Sequence, residues 1–373
     1  MVLTRLFIDL TSSKPVMNHG LIREELLNRM TQQQQSKRRA ASAGLTFVND
    51  FDKGYSRRRC GKGFIYLGVN GRTLSGRRIL KRIESLVIPP AWEDVWICPT
   101  AHGHIQARGR DNAGRLQYIY HPDWKTISAA RKFDRMSRFA DVLPRVRRRI
   151  RRDLNRKGLP RERVQAAIVR IMDRAHLRIG NDESRNARGA TTLLADDVDI
   201  QNFRVSLDFP GKSGQQRQVE FFDRKLVRVI ERCEELDGQF LFAYQNNDTG
   251  SNAVSSTTVN AYLREIADER ITAKDFRTWT GSSTALSVLA DADAGYVKRN
   301  RGTACRNAVK AASARLGNSP AVCRKSYIHP GILAACESDE LREMLDKLPG
   351  KAVSELTMDD VRFKELLPQL SFS

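Results

Sequence analysis

Five polar residues lie in four short segments that are spread widely along the chain. The segments are LRIGND (177–182), FPGKSG (209–214), KDFRTW (274–279) and LGNSPAVCRKSYIHP (316–330), and they contain Arg178, Lys212, Arg277, Asn318 and Tyr327. Arginine donates paired, charge-assisted hydrogen bonds to phosphate oxygens, and lysine can donate a proton to a leaving oxygen. A tyrosine hydroxyl can form a phosphotyrosine that stores the energy of the bond it breaks. Such a set suits reversible cleavage of a phosphodiester without metal or nucleotide.

Other motifs of phosphate or hydrolytic chemistry are missing from the sequence. Gly211, Lys212 and Ser213 are similar to the end of a phosphate-binding loop, but that loop requires glycine where Ser206 stands. No H-E-x-x-H, no acidic cluster for two metals and no G-x-S-x-G occurs. The six cysteines are scattered without a C-x-x-C pair, which argues against a zinc module or a disulfide framework. We therefore expect no cofactor and no bound metal.

The charge of the chain indicates a polyanionic partner. Lysine and arginine number 64 against 43 acidic residues, so the formal net charge is +21. Residues 56–82 hold nine basic and no acidic side chains, and residues 135–163 hold twelve basic against three acidic. Aromatic residues interleave with the first stretch, as in nucleic-acid-binding surfaces. Hydrophobic residues make up 40% of the chain, and no apolar run is long enough to cross a bilayer. We expect a cytoplasmic, nucleoid-associated protein with no membrane partner.

Composition and periodicity predict three regions. Residues 1–45 are rich in Gln, Ser and Arg and are expected to form a flexible leader; Met17 and Met30 are further candidate starts. Residues 46–124 carry short β-type runs with one helix near 75–86, and Asp111–Gly114 marks a hairpin turn. Residues 125–373 are mainly helical.

Within the helical region, the apolar pattern predicts one inserted β-hairpin and a series of helices. The hairpin covers residues 203–221, with PGKSGQQ at its turn. Helices are expected after Trp124 and at about 161–177, 223–236, 256–268, 281–291, 303–315 and 320–328. Ser319 and Pro320 form a helix start and Pro330 follows its end, so Tyr327 is expected in the last turn.

In order and character, the segments resemble the type IB DNA topoisomerases, specifically the bacterial branch that is similar to the poxvirus enzymes. The resemblance also takes in RRRCGKGF (57–64) and GRDNAGRLQYIYH (109–121), and it covers roughly residues 45–335. It implies an α+β protein: a small antiparallel β domain and a larger, mainly α catalytic domain with an inserted β-hairpin. The implied activity is relaxation of supercoiled double-stranded DNA by a monomer that closes around the duplex, without ATP or metal.

The resemblance also assigns roles to individual residues. It implies that Tyr327 is the nucleophile, that Arg178 and Arg277 hold the scissile phosphate, and that Lys212 on the hairpin turn is the general acid. Where poxvirus and eukaryotic enzymes have histidine, nine residues before the tyrosine, Asn318 stands here, as in the bacterial branch. An amide can donate a hydrogen bond to a phosphate oxygen but supplies neither charge nor a proton. His329 is expected to point away from the site.

In the β domain, Gln117, Tyr118 and Tyr120 match positions that touch DNA in the poxvirus enzymes. Strand alternation places Tyr118 and Tyr120 on one face and Gln117 on the other or in a local bulge. The basic residues of the RRRCGKGF segment are further expected DNA contacts: Arg57, Arg58 and Lys62.

Two alternative functions are open at this point. A tyrosine recombinase uses the same chemistry, but it carries an H-x-x-R motif before the tyrosine, and here no histidine lies between His176 and His329. A non-catalytic architectural DNA-binding protein would explain the charge. It would leave the ordered Arg, Lys, Arg and Tyr residues unexplained.

Overall fold

The computed structural model describes residues 33–49, 51–180, 187–236, 238–246, 250–338, 340–348 and 353–370. The chain divides into two compact units, and the division falls between Ala129 and Ala130. Both residues belong to one long helix, α3 (Pro122–Asp153).

The first unit is built on a five-stranded antiparallel sheet with the strand order β2-β1-β3-β4-β5. Its elements are β1 (Tyr55–Cys60), β2 (Gly63–Leu67), α2 (Arg77–Ser85), β3 (Glu93–Ile97), β4 (Ile105–Arg110) and β5 (Leu116–Tyr120). Ile83 of α2 is buried with residues of β3 and β4 in a small core. The β4–β5 hairpin turns at Asp111–Gly114, which confirms the prediction from the sequence.

Strand β1 was not predicted. Its arginines at 57–59 interrupt any apolar alternation, so only its pairing with β2 and β3 reveals it as a strand. Gly61 makes the tight β1–β2 turn with a φ of +57°, a left-handed conformation that favours glycine.

Part of the predicted flexible leader is ordered. Residues 33–42 are helical (α1), and Ala40 and Leu45 are buried. The backbone N–H of Leu45 donates to the carbonyl of Ala40 at 2.7 Å, which closes the end of this helix. The composition of the leader suggested disorder, but its small apolar residues near the end provide a face that packs. Residues 1–32 lie outside the described residues, so the leader stays a prediction there.

The second unit is mainly helical around one extended core, as the sequence predicted. Besides α3, its helices are α4 (Arg161–Ala175), α5 (Arg224–Glu234), α6 (Ser256–Ala267), α7 (Ala273–Asp291), α8 (Ala294–Arg299), α9 (Arg301–Leu316), α10 (Pro320–Ser326), α11 (Pro330–Glu337), α12 (Glu340–Asp346) and α13 (Met358–Leu366).

The inserted hairpin is present and is larger than predicted. It belongs to a three-stranded antiparallel sheet: β6 (Val198–Gln201), β7 (Arg204–Pro210) and β8 (Gln216–Phe222). The sequence missed β6 because four residues are too few to show alternation. A second short pair of strands, β9 (Ala243–Asn246) and β10 (Gly250–Ala253), was not predicted for the same reason.

Helix α7 begins eight residues before its predicted start at residue 281. The backbone N–H of Thr272 donates to the Asp275 carboxylate at 2.8 Å, and the Thr272 side chain completes a capping box. The first turns of α7 have polar and bulky residues on all faces, so the sequence there does not show the apolar spacing that is typical of a helix. As a consequence, Arg277 lies on the buried face of a helix and not in the segment before one.

The acidic C-terminal stretch, whose role the sequence left open, contributes to the core. Phe363 of α13 is fully buried, and its ring lies 4.7 Å from that of Trp279 on α7. The Asp360 carboxylate accepts hydrogen bonds from Trp279 Nε1 and, at 2.7 Å, from Arg147 Nη1. Helix α13 therefore braces the helix that carries Arg277.

Candidate active site

Tyr327 immediately follows α10, one residue beyond the last turn in which it was expected. Helix α10 starts with Ser319 as N-cap, whose Oγ accepts a hydrogen bond from the N–H of Val322, and with Pro320 in its first turn. The backbone N–H of Tyr327 donates to the Cys323 carbonyl at 2.9 Å. The helix and its cap thus fix the backbone of Tyr327, while its half-buried side chain can reach a ligand.

Helix α7 holds Tyr327 from beneath. Ser282 Oγ donates to the Tyr327 carbonyl at 3.1 Å and accepts from the backbone N–H of His329 at 3.0 Å. Gly281 has no side chain at the point where the Tyr327 backbone approaches α7. His329 lies outside this set, as predicted: it is buried, and its Nδ1 accepts from the N–H of Gly331 as the cap of α11.

Arg277 lies beside the tyrosine ring. Its Cζ is 5.2 Å from the Tyr327 ring centroid, Nη2 donates to the Leu316 carbonyl at 2.8 Å, and Nη1 donates to the His176 carbonyl. Nε is buried and has no partner among the described residues. Burial, and then the charge of Arg178, lower the Arg277 pKa to about 10. No carboxylate pairs with Arg277 within the described ranges, and a buried guanidinium in that state can bind an anion.

Arg178 and Asn318 are in direct contact. Arg178 Nη2 donates to Asn318 Oδ1, which fixes the orientation of the amide. The other end of the amide, Nδ2, is buried and makes no hydrogen bond of normal geometry within the described part of the chain. The Cys323 thiol lies near it; burial raises the pKa of that thiol, and Asn318 opposes the rise. Since thiols are weak acceptors, Nδ2 can donate to an incoming phosphate oxygen.

Arg217 is a third cation near this site, after Arg277 and Arg178, and the sequence did not single it out. From β8 it donates to the backbone carbonyls of Ala314 and Arg315 at 3.2 and 3.1 Å. Its pKa is lowered by burial and then by the charge of Arg178. Gly317, at a φ of +58°, makes room for it, since a Cβ there would lie 2.5 Å from Arg217 Nη1. Arg217 thereby ties the hairpin to the turn that carries Asn318.

Lys212 lies on the hairpin turn, as predicted, but is not in contact with the other four residues. It begins a short 3₁₀ turn, Lys212–Gly214, and its side chain is exposed. Within the described part of the chain it makes no hydrogen bond or ion pair. The backbone below it is fixed, because the N–H of Gly211 donates to the Gln215 carbonyl at 2.8 Å.

Lys132 of α3 is a second residue that the sequence missed. Its Nζ donates to the Ser326 carbonyl and lies 5.3 Å from the Tyr327 ring centroid and 4.6 Å from that of Phe133. Burial lowers its pKa to about 7, and the charge of Lys274 acts in the same direction. In the sequence, Lys132 is one of many basic residues and no motif distinguishes it. Only the fold shows that its Nζ lies near the Tyr327 ring.

The expected DNA contacts of the first unit differ in their surroundings. Tyr118 and Tyr120 stack on one face of β5 with centroids 5.7 Å apart, while Gln117 donates to Asp111 at 2.9 Å. Arg58 and Lys62 are exposed. Arg57 is half-buried: Nη2 donates to the carbonyls of Pro89 and Trp92, and the guanidinium lies over the ring of Phe64. These bonds give Arg57 a structural role in addition to any contact with DNA.

Neither metal-binding nor membrane-spanning features occur in the described part of the chain. No group of three or more His, Cys, Asp or Glu residues is arranged to hold a metal ion there. No helix among those residues is long and apolar enough to cross a membrane.

An antiparallel β unit is followed by a mainly helical unit with an inserted β-sheet, in which Arg178, Arg277 and Asn318 lie near Tyr327, and this is the architecture that the resemblance to type IB topoisomerases implies. A family model of the eukaryotic DNA topoisomerase I catalytic core matches residues 121–348, and a model of the bacterial DNA topoisomerase IB N-terminal domain matches residues 63–111. The first match covers more than half of the chain. The chain therefore belongs to the DNA topoisomerase I family, and it is a DNA topoisomerase of type IB.

Individual proteins are similar to this chain to different degrees in sequence and in structure. DNA topoisomerase 1B of Acanthamoeba polyphaga mimivirus is 28% identical over 286 residues, which are 74% of this chain and 85% of the viral protein. Two structures of the XerH site-specific recombinase on its difH substrates, before and after cleavage, are 16% and 15% identical, each with a TM-score of 0.33. They match 51% and 54% of this chain and 49% and 50% of theirs, so this chain spans about half their length.

Proposed function

We propose that this topoisomerase relaxes supercoiled double-stranded DNA by the transient formation of a 3′-phosphotyrosine on Tyr327. The Tyr327 oxygen attacks a backbone phosphorus and forms a Tyr–O–P bond, and the P–O5′ bond breaks. The freed strand rotates, and attack by the 5′-hydroxyl reverses the step. The observation that carries this proposal is Arg277, which lies buried beside the Tyr327 ring without a carboxylate partner in the described part of the chain, with the Arg178–Asn318 pair nearby.

The polar groups around Tyr327 suit the transition state of that step. A pentavalent phosphorus concentrates negative charge on its non-bridging oxygens, and Arg178 and Arg277 supply charged donors for them. Asn318 Nδ2 supplies a neutral donor whose partner is missing within the described residues. Because these donors are already oriented by protein contacts, they need little rearrangement when charge develops.

We assign the proton donor for the leaving 5′-oxygen to Lys212. An alkoxide is a poor leaving group, so a proton delivered at that point lowers the barrier. The side chain is exposed and unrestrained on a fixed turn, which allows it to reach bound DNA. A substrate with a 5′-bridging phosphorothiolate needs no such proton. Lys212→Ala should therefore cleave ordinary DNA slowly and this substrate at nearly the wild-type rate; failure of the rescue would remove Lys212 from the acid role.

Lys132 is assigned as a positioning residue for the nucleophile. Its hydrogen bond to the Ser326 carbonyl holds the residue before Tyr327, and its Nζ faces the tyrosine ring. When protonated, it also places a positive charge beside the developing phenolate.

The remaining features of the proposal concern partner and setting. The enzyme acts as a monomer on double-stranded DNA without nucleotide or metal, in the cytoplasm in association with the nucleoid. Support for the DNA partner comes from the net charge of +21. Stacked Tyr118 and Tyr120 and exposed Arg58 and Lys62 offer contacts in the first unit.

The deciding experiment is relaxation of supercoiled plasmid in EDTA without ATP. Wild type should relax the plasmid and form a covalent protein–DNA adduct, and Tyr327→Phe should do neither. Tyr296→Phe serves as the matched control because Tyr296 is exposed on α8, and it should behave as wild type. A Tyr327→Phe variant that relaxes the plasmid as fast as wild type would refute the mechanism.

A further inference from the structure

Arg163 has an unusual environment for a charged side chain remote from Tyr327. It lies in the first turn of α4 and is only 9% exposed. Its Nη1 donates to the Gly158 carbonyl, but its Nε is buried without a partner, and no carboxylate pairs with it among the described residues. A buried cation with no counter-ion is costly unless something else compensates its charge.

Two other arginines show what compensation looks like in this protein. Arg147 is also well buried, and it is paired with Asp173 at 2.9 Å and Asp360 at 2.7 Å. Arg277, at 4% exposure, has neither a carboxylate partner nor a partner for Nε among the residues that the structure describes, and we assign its compensation to the scissile phosphate. Arg163 shares the features of Arg277 and not those of Arg147. By the same reasoning, an anion is what its environment lacks.

The side chain opens onto a pocket of suitable charge and size. The pocket has a volume of about 530 Å³, and besides Arg163 its lining consists of Lys157, Gly158, Arg228, Glu231, Arg232 and Glu235. Four basic side chains thus face two acidic ones. Burial, followed by the charges of Arg232 and Arg228, lowers the pKa of Arg163, so the three guanidinium groups repel one another without an anion between them.

The start of α4 adds backbone donors to the same place. Its N-cap is Pro160, and no side chain caps the first turn. The N–H of Arg163 already donates to the Pro160 carbonyl at 3.0 Å, so the backbone donors at this end are those of Arg161 and Glu162, and the positive end of the helix dipole also favours an anion here. A buried guanidinium with no carboxylate partner among the described residues and a helix start without a side-chain cap are independent features that point to the same ligand chemistry.

We propose that this pocket is a second phosphate site, in which the Arg163 guanidinium binds a phosphate-type oxyanion and Arg228, Arg232 and Lys157 surround it. The site is separate from the reaction centre. Arg163 lies in the first turn of α4 and Ala175 ends that helix, so about 18 Å of helix separate Arg163 from the segment that leads to Arg178. The anion is either a free phosphate compound or a phosphodiester of DNA.

The first arm of the test uses inorganic phosphate and pyrophosphate with the full chain, and measures the midpoint of thermal unfolding. Wild type should gain roughly 2 °C or more at saturation, and Arg163→Met should lose most of that gain. Arg161→Met is the matched control, because Arg161 is exposed on the same turn and does not line the pocket. Any phosphate bound near Tyr327 contributes equally to all three proteins.

Two further measurements distinguish a ligand-binding role of Arg163 from a structural role: stability without phosphate and the phosphate response of a lysine variant. Without phosphate, Arg163→Met should be at least as stable as wild type, since it removes an uncompensated buried charge. Arg163→Lys should keep part of the phosphate response, because lysine retains the positive charge but not the paired hydrogen-bond donors of the guanidinium group. An Arg163→Met variant that is destabilised in phosphate-free buffer yet responds to phosphate like wild type would overturn the proposal.

The second arm identifies the source of the anion from the salt dependence of duplex binding. If the pocket holds a DNA phosphate, Arg163→Met should lower the slope of log K against log salt by about 1, and Arg161→Met should not. If it holds a free phosphate compound, the slope should be unchanged while the thermal response is lost. Unchanged slope and unchanged thermal response together, or equal changes in both variants, would refute the site. Relaxation in EDTA tests the Tyr327 mechanism separately.

Discussion

Gly281 and Tyr327 are in van der Waals contact through their backbones. A Cβ at position 281 would lie 2.6 Å from the Tyr327 carbonyl oxygen and 2.9 Å from the Tyr327 Cβ, both closer than such atoms approach. Helix α7 therefore sets the position of the nucleophile directly, from the same face that presents Arg277 to the ring. Glycine is required here for space, since no special φ is involved.

Gly281→Ala is expected to slow DNA cleavage. The added methyl group must push the Tyr327 backbone away from α7, and a displacement of about 1 Å at a reacting group can cost on the order of 100-fold in rate. Single-turnover cleavage of a duplex measures the effect, with duplex affinity as the check on binding. Gly302→Ala on α9 is the control, because a Cβ there would meet only the flexible end of the Arg306 side chain on the same helix, at 3.5 Å, among the described residues. Equal cleavage rates for the two variants would show that α7 does not position Tyr327.

Most of the helices and hairpins could be predicted from the sequence, because the patterns that specify them involve residues close together in the chain. Alternating residues predicted the β4–β5 and β7–β8 hairpins, and apolar spacing predicted the long helices. The residue pattern did not predict elements whose structure depends on pairing with distant segments. The arginine-rich β1 is a strand because it pairs with β2 and β3. The residue pattern also failed at the start of α7, where buried polar residues replace the usual apolar stripe.

The reaction residues could be proposed from the sequence only because their segments resemble a known family. The residues that support them carry no such signal. Gly281 matters through a distance to Tyr327, Arg217 through backbone carbonyls almost one hundred residues away, and Lys132 through a carbonyl and a ring. Contacts of this kind depend on three-dimensional geometry, which residue type and spacing do not specify.

Asn318→Ala is expected to raise the cleavage barrier by ~2 kcal/mol or more, the usual cost of losing one oriented donor to a developing oxyanion. Asn318→Asp should be slower still, because a carboxylate would pair with Arg178 and repel the phosphate. Duplex affinity should change little for the alanine variant, since the donor acts mainly in the transition state. The measurement is single-turnover cleavage. Wild-type rates in both variants would make Asn318 a structural residue.

Lys132→Met is expected to change how stability depends on pH. Lysine ordinarily titrates near ~10.4, and in the folded protein the Lys132 pKa is about 7, so between these values the unfolded chain holds the extra proton. Wild-type stability should therefore rise relative to the Met variant as pH increases from about 7, by about 1 kcal/mol per pH unit. Chemical denaturation at pH 6.5, 7.5 and 8.5 measures this, with exposed Lys125→Met as the control.

The same variant separates positioning from general stability. Charged Lys274, Asp275 and Arg135 also act on Lys132, and His329 is held neutral with a pKa of about 4, so Lys132 is the group expected to titrate near neutrality. The wild-type cleavage rate should bend near pH 7, and the bend should be missing in Lys132→Met. A bend that persists in the variant would assign it to another group.

Asp360→Asn is expected to destabilise the second unit and, through it, the site. Burial alone would raise the pKa of Asp360, but the charge and hydrogen bond of Arg147 outweigh it, and the pKa lies below its ordinary value. The ionised carboxylate therefore stabilises the fold at neutral pH, and this contribution is lost as pH falls through the lowered pKa. Its removal also weakens the bond from Trp279 of α7. Breaking such a buried pair costs ~3 to 5 kcal/mol, measurable by denaturant unfolding, whereas Asp346→Asn, at the exposed Arg342 pair, should cost less than ~1 kcal/mol. Equal losses in the two variants would contradict a bracing role for α13.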